Sequence, residues 1–258
     1  RRDFSADGKL AGRPWLGLKL AEIADLDAAL VIGSFLRKEQ PLVAQRLRQA
    51  AKKFTKVSIV SVGGDDQLIK LHQNFTVSPA HLVLVVAAIA KAAAYAKGVP
   101  AITGFDGIEP CEKAKAIAQS LIEGEKRHIF LGNVAEQHPQ AAALHALVQE
   151  LAKLTGATFG FLSEAANSVG GYVAGLLPTA NGLNAYEMLA QPRKAYVVLG
   201  TELDRDAHNA QLATSALKQA AFSVVLTPFK DGNAAETADA LLPIAPFTGA
   251  WIVSRAKV

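Results

Sequence analysis

The side chains that covalent or metal chemistry would draw on are few in this chain and widely separated. There is one cysteine, Cys111, and six histidines, His72, His81, His128, His138, His145 and His208. A single cysteine excludes an internal disulfide framework and any iron–sulfur cluster or zinc-thiolate site held by this chain alone. The histidines never take HxxxH or HExxH spacing, which would set two imidazoles on one helix face around a metal, so they read as surface or hydrogen-bonded residues. Glu109 and Glu112 flank Cys111 and oppose a thiolate there, which reads as an inert thiol. In ETADALLP, Glu236 and Asp239 stand three apart and would share a face if the turn is helical. Paired carboxylates can do acid–base work. Capping and solvation of the turn is the simpler account.

Phosphate binding is the remaining option, and it would rest on glycine turns. VIGS at 31–34, FLGN at 130–133 and VLGT at 198–201 each end an apolar run with one glycine, followed by a polar turn and a helix. None is a GxGxxG or GxxxxGK[ST] loop. A lone glycine at a strand end is first a turn requirement; a phosphate cradle at a helix N-terminus is the alternative. LRQAA at 47–51 also recurs as LKQAA at 217–221, so repeated βαβ units and parallel sheets covered on both faces are expected.

The elements around these turns follow from periodicity. Ala28–Gly33 and Val57–Val62 read as strands joined by a helix with Pro41 at its first position. Its face carries Leu42, Val43, Leu47 and Ala50 inward, with Arg46, Arg48 and Lys52 outside. GGDDQ then interrupts, and a turn-rich segment leads to SPAHLVLVVAAIAKAAAYAKG. Ser78 suits the N-cap of that helix, Pro79 its first turn and Gly98 its end. About nineteen residues span nearly 30 Å, long enough for a bilayer, but His81, Lys91 and the many alanines favour a buried core helix. A loop at 99–111 and a short helix follow. The second unit is the strand His128–Gly132, the helix AAALHALVQELAKLTG and the strand ATFGFL. Residues 164–192 read as a long loop with one short helix. In the third unit, Ala195–Leu199 and Phe222–Leu226 suit parallel strands buried on two faces, around a helix turning Leu212, Ala213, Ala216, Leu217 and Ala220 inward.

Half of the 258 residues are hydrophobic and the net charge is +4. Disorder is excluded by that composition, and the basic surplus forms no concentrated stripe of the kind nucleic acid requires. The expected organisation is an incoming arm at 1–20 with Trp15 stapling it to a core, an α/β unit at 21–125 holding the long helix, a second α/β region at 126–248 with two strand–glycine–helix–strand units, and an atypical tail at 249–258. No signal peptide is visible, and the missing start residues suggest part of something longer.

GSFLRKEQPLVAQRLRQA, EAANSVGGYVAGLLP and ETADALLP, in that order and spacing, resemble the molybdopterin oxidoreductase family over about residues 12–248. Within it the chain is most similar to the large iron–sulfur subunit of bacterial NADH-quinone oxidoreductase (complex I). The resemblance implies Rossmann-like parallel-sheet subdomains of the formate dehydrogenase and DMSO reductase type, which in molybdenum enzymes hold two pterin-guanine dinucleotides. It implies that the complex I member kept this fold without molybdenum, its iron–sulfur clusters lying in an N-terminal region whose cysteine runs this chain lacks. The expectation is therefore a structural domain with no catalytic, cofactor-binding or metal residue of its own, in an enzyme passing electrons from NADH to quinone. Its partners would be other peripheral-arm subunits, with no nucleic acid and no membrane span, on the cytoplasmic side of the inner membrane. The alternatives are part of a molybdopterin-guanine-dinucleotide-dependent oxidoreductase, or a guanine-nucleotide-binding module. Several positions depart from the family's pattern. A Cys or Ser metal ligand would precede the first strand, whereas Cys111 follows that unit and only Ser5 precedes Ser34. Phe35 and Leu36 stand where many relatives carry Asn-Pro. The chain ends GAWIVSRAKV where relatives continue with a segment like ETxGTFxNxEGR.

Overall fold

The computed structural model describes residues 14–246 apart from 65, 102, 164, 166, 179–181 and 231. Most of the expected arm, including Ser5, and the atypical tail lie outside the described residues. The chain divides into two units, Arg1–Leu176 and Leu177–Val258.

In the first unit a 3-10 helix at Leu20–Asp25 leads to strand β1 (Ala28–Ile32), the one-turn helix α1 (Leu36–Glu39), helix α2 (Pro41–Lys53), β2 (Lys56–Ser61) and β3 (Leu71–Thr76). A 3-10 turn at Pro79–His81 opens into α3 (Leu82–Lys97). Then come α4 (Glu112–Glu123), β4 (Arg127–Leu131), α5 (Asn133–Glu136), α6 (Ala141–Thr155), β5 (Thr158–Phe161) and α7 (Ser168–Val173). The five strands form one parallel sheet in the order β3-β2-β1-β4-β5. The sequence reading divides the chain at 125, yet β4 and β5 join β1, β2 and β3 in this sheet, because β1 takes β4 as its second neighbour.

All five β1 residues are buried and their side chains alternate between two cores, as a strand covered on both faces requires. Ala28, Leu30 and Ile32 face the layer of α3, α4 and α6. Ala29 and Val31 face Leu36, Val43 and Leu47 of α1 and α2. Eleven of sixteen α3 residues are buried, so its apolar length serves a core. Its small alanines let α4 and α6 approach closely. Gly98 ends it in the left-handed conformation at φ 64°.

Several expectations shift in detail. Leu42 is 70% exposed, because the inward stripe of α2 is Val43, Ala44, Leu47, Ala50 and Ala51, which places Leu42 on the ridge beside it. Ser78 makes no capping bond to the backbone; its Oγ lies 3.1 Å from His81 Nδ1 instead. Strand β3 is an addition to the expected elements. The described residues between β2 and β3 include no helix, and the crossing is held where Arg37 Nη1 donates to Asp66 O at 2.6 Å and Leu68 N to Asp66 Oδ1 at 2.8 Å.

The second unit contains α8 (Ala185–Ala190), β6 (Ala195–Leu199), α9 (Leu203–Asp206), α10 (Ala210–Lys218), β7 (Phe222–Thr227), α11 (Asn233–Thr237) and β8 (Ala240–Pro243). With α7, the described residues of the expected long loop at 164–192 therefore include two short helices. The strands form a parallel sheet in sequential order β6-β7-β8. Val198 and Val225 pack under Leu203, Leu217 and Ala234, so α9, α10 and α11 cover that face. The opposite face carries Ala195, Val197, Leu199, Phe222, Val224, Leu226, Ala240 and Leu242 in register. Val197 is 77% exposed and Leu199 66%. The expectation that β6 and β7 are buried on two faces is thus corrected: two crossovers in one direction put every helix on one side.

The pentapeptide repeat is not a structural one. LRQAA lies inside α2, six residues short of its end at Leu47, while α10 stops one residue after Leu217 and leaves Ala220 and Ala221 in the connection to β7.

Candidate functional site

Open α/β sheets bind ligands at the carboxyl ends of strands, where the strand order reverses. In the first unit that point lies between β1 and β4, and there the two glycine turns press on each other. Gly132 N donates to Ile32 O at 2.8 Å, and Val134 N to Gly33 O at 2.9 Å. A Cβ on Gly33 would lie 2.7 Å from Ala135 N, and one on Gly132 would collide with Ser34 Cβ. Gly33 has φ 64° and Gly132 φ −96°, so the first glycine serves the turn and the second serves close approach.

The polar groups of the Gly33 turn are also engaged. One turn of helix returns Glu39 to it, where Glu39 Oε2 accepts from Ser34 Oγ at 2.8 Å and from Phe35 N at 3.0 Å. Ser34 is buried. The Phe35 ring lies on Gly63, where an added Cβ would be 2.7 Å from Cε1. Gln40 Nε2 donates to Ser163 O at 2.9 Å, tying α2 to the chain beyond β5. Asn133 Oδ1 is buried without a hydrogen-bond partner.

The Gly200 turn repeats this device. Gly200 N donates to Leu226 O at 2.8 Å, as Gly33 N does to Val60 O at 2.8 Å. Gly200 has φ 62°, and Asp206 Oδ2 accepts from Glu202 N at 2.8 Å. The two turns read GSFLRKE at 33–39 and GTELDRD at 200–206. Both open on a glycine and a hydroxyl, carry leucine at the fourth position and end on an acid, a signal that the LRQAA match obscured. They differ above the glycine, where Gly200 meets only Ile244 Cδ1 at 3.9 Å.

These turns are where a dinucleotide phosphate would seek backbone N–H groups and a helix N-terminus. In both, a carboxylate already holds the N–H that a phosphate would need, and its negative charge repels a second anion. At Gly33 the space is filled as well. The donor set does not fit a phosphate there. A surface groove of about 400 Å³ along α9 and α10, lined by Asp204, Gln211, Thr214, Ser215 and Lys218, is open and gathers no nucleophile–base pair. Among the described residues no cluster of three His, Cys, Asp or Glu side chains converges.

The sequence candidates lie apart from the turns, and several of them hold the fold. Cys111 is exposed at the N-cap of α4. His128 is fully buried, with Nδ1 2.8 Å from Thr158 Oγ1 and Nε2 3.0 Å from Leu16 O. Burial pushes it down to about 4 against the Leu16 bond, so it is neutral at pH 7. His138 Nε2 lies 2.9 Å from Pro79 O while its Nδ1 accepts from Gln140 N. His145 stands edge-on to Phe159 and Phe161, and burial lowers it too. His72 Nε2 lies 3.4 Å from Ala116 O, and His208 is exposed. Trp15 staples the arm by its backbone, not its ring, which is 45% exposed: Phe161 N donates to Trp15 O at 2.8 Å. Glu236 and Asp239 do not share a helix, since α11 ends at Thr237. Asp239 Oδ2 instead accepts from Ser223 N at 2.7 Å.

Lys91, which in the sequence argues only against a membrane span, has a clear role. It is buried, and its Nζ donates to Asp106 O at 3.0 Å and Ile108 O at 2.7 Å, with Glu109 Oε1 at 3.5 Å. It pins the 99–111 loop onto α3.

The comparisons with known proteins agree with this architecture. The family model for molybdopterin oxidoreductase matches residues 3–249. Among solved structures the chain is similar to one in the formyltransferase/hydrolase complex (FhcABCD) from Methylorubrum extorquens, determined in complex with methylofuran. The TM-score is 0.56 and the identity 15%, over 93% of this chain and 67% of that one, which is a likeness of fold. No curated protein matches the chain. With nearly its whole length matched, and parallel α/β sheets in both units, the chain belongs to the molybdopterin oxidoreductase family.

Proposed function

We propose that this chain is a non-catalytic structural domain of the large iron–sulfur subunit of bacterial NADH-quinone oxidoreductase, the respiratory complex I. The observation that carries the reading is the closure of both strand-end turns on their own carboxylates, Glu39 and Asp206. A domain that kept the family's fold but closes its strand-end turns on its own carboxylates has the character of scaffold. The ordered motifs GSFLRKEQPLVAQRLRQA, EAANSVGGYVAGLLP and ETADALLP support the complex I assignment within the family. The exposed apolar face of the β6-β7-β8 sheet supports a place inside an assembly, since parallel sheets are normally covered on both faces. In this reading the iron–sulfur clusters reside in the N-terminal region of the same large polypeptide. The partners are other peripheral-arm subunits, on the cytoplasmic side of the inner membrane.

The test is to tag the polypeptide that carries this chain in its native host and isolate the assembly. NADH-quinone oxidoreductase activity should co-purify, with neither molybdenum nor pterin at one per polypeptide. An assembly without that activity would overturn the complex I reading, and stoichiometric molybdenum or pterin would overturn the scaffold reading. A second reading, a molybdopterin-guanine-dinucleotide oxidoreductase, is favoured by one observation, the open space above Gly200. It requires saturable GDP binding in calorimetry, which the scaffold reading does not allow.

A further inference from the structure

Helix α2 has an outward face unlike that of any other long helix here. Its sequence, PLVAQRLRQAAKK, contains four cations and no acid. Arg46, Arg48, Lys52 and Lys53 are all exposed. On the other helices some exposed lysines pair with acids, Lys115 with Glu112 at 2.8 Å on α4 and Lys153 with Glu150 at 3.9 Å on α6, and others such as Lys97 stand singly; only α2 gathers four cations on one face. Among the described residues no ion pair involves the four α2 cations. The acids on the 3-10 helix packed against α2 do not neutralise them: Glu22 accepts from Lys19 N at 2.8 Å, and Asp25 pairs with none of the four.

Helical spacing arranges this face in rows. Arg46 and Lys53, seven apart, line one flank, and Arg48 and Lys52, four apart, line the other. Between them runs a ridge of Leu42, Gln45 and Gln49, with Leu42 70% exposed. Lys52 and Lys53 in the last turn also complement the helix dipole. Arg46 and Arg48, in mid-helix, gain nothing from it, and no ion pair among the described residues accounts for them.

We propose that this face docks an acidic α-helix of a partner protein, laid along α2 so that two rows of carboxylates meet the two cation rows. Charge complementarity selects the partner's sign, since unpaired one-sign faces steer and orient association. The neutral ridge selects a helix. The two glutamines offer both donors and acceptors, and Leu42 offers one apolar contact, the pattern of a ridge packed into a groove. A lipid surface would need a broad apolar face, which one leucine does not provide. Single-stranded nucleic acid would need aromatic side chains among the cations, and Phe54 stands alone at the C-cap. The inference stands on α2 alone and holds whether or not the complex I assignment does.

The test uses the full chain and three probes at low salt. They are a labelled helical peptide with glutamates on two adjacent rows of an alanine background, a uridine-rich RNA, and vesicles of mixed neutral and anionic phospholipid. One variant combines Arg46→Gln, Arg48→Gln, Lys52→Gln and Lys53→Gln. A control loses the same charge elsewhere, through Lys97→Gln, Lys115→Gln, Lys126→Gln and Lys153→Gln. Glutamine preserves helix propensity, and circular dichroism checks that both fold. The expected result is saturable peptide binding that falls at least tenfold in the α2 variant and less than twofold in the control. Absent binding, equal loss in both variants, or tighter α2-dependent binding of RNA or vesicles would each overturn the proposal.

Discussion

The five-stranded sheet of the first unit and the three-stranded sheet of the second use the same strand, turn and helix sequence, and they are sealed differently. In the first, the chain winds from β1 to β2 and β3, then crosses back beside β1 to lay β4 and β5, so helices fall on both faces. In the second, the chain winds one way only, and the face bearing Val197 and Leu199 stays open. The direction of the crossovers decides the coverage, while the central strands of both units are apolar. The same contrast holds at the glycine turns. Gly33 sits where two turns converge because the strand order reverses beside it, and Gly200 has no such neighbour.

Substitution at the two glycines gives the strongest test of this contrast. Gly33→Ala forces a left-handed alanine into Ala135, and strain plus overpacking should cost roughly 3–4 kcal/mol in a urea midpoint analysis. Gly200→Ala meets open space, so only the left-handed penalty of about 1–2 kcal/mol should remain. Equal costs would mean that the convergence at Gly33 contributes nothing.

Acid should separate the units nearly as well. His128 lies in the first unit with its value near 4, below the ordinary 6.5. The fold thus favours its neutral form, a contribution complete above about pH 6.5 and lost as pH falls towards 4. The loss should reach about 3 kcal/mol at pH 4. Hydrogen exchange resolved by segment should show β4 and β5 loosening over that window before β6 and β7. His128→Gln should flatten the pH dependence at some cost in stability at pH 7.

The sequence made much of the first sheet legible and less of the second, for reasons visible at single residues. Ala28–Ile32 is apolar at every position, the pattern of a strand covered on both faces, and it is one. Ala195–Leu199 has the same pattern, but residue type cannot report whether a neighbour exists to cover it. Strand β3, LHQNFT, is hidden in the sequence because a polar edge strand lacks the apolar run that marks a central one. Leu42 is misplaced by counting apolar residues without fixing the helical phase that Pro41 sets. At the candidate site, the lone glycines correctly signal turns. The closing carboxylates are harder to see because each sits six residues beyond its glycine and acts only after a one-turn helix brings it back.

Those carboxylates give a smaller comparison. Glu39→Ala strands the buried Ser34 hydroxyl and the Phe35 N–H, and should cost about 1–2 kcal/mol. Asp206→Ala frees an exposed N–H to water and should cost no more than about 0.5 kcal/mol. Thermal melts of the two variants check the ranking. The smallest effect on stability, within about 0.5 kcal/mol, belongs to the double substitution Val197→Thr and Leu199→Thr on the open face. Its readout is association instead. If the isolated chain self-associates through that face, sedimentation should show a shift towards monomer, whereas an unchanged distribution would remove the face from self-association.

Lys91 has a consequence for the newly made chain that the folded contacts do not reveal. Residues 79–97 form an apolar segment long enough to be read by the insertion machinery as a membrane anchor. They leave the ribosome before α4 and α6, the helices that later bury them. A lysine near the middle of such a segment raises its insertion free energy by about 3 kcal/mol, enough to offset several leucine-sized contributions. The ammonium that pins the 99–111 loop in the finished fold therefore also disfavours lodging of α3 in a bilayer during synthesis. Replacing it with leucine would test folding and targeting together.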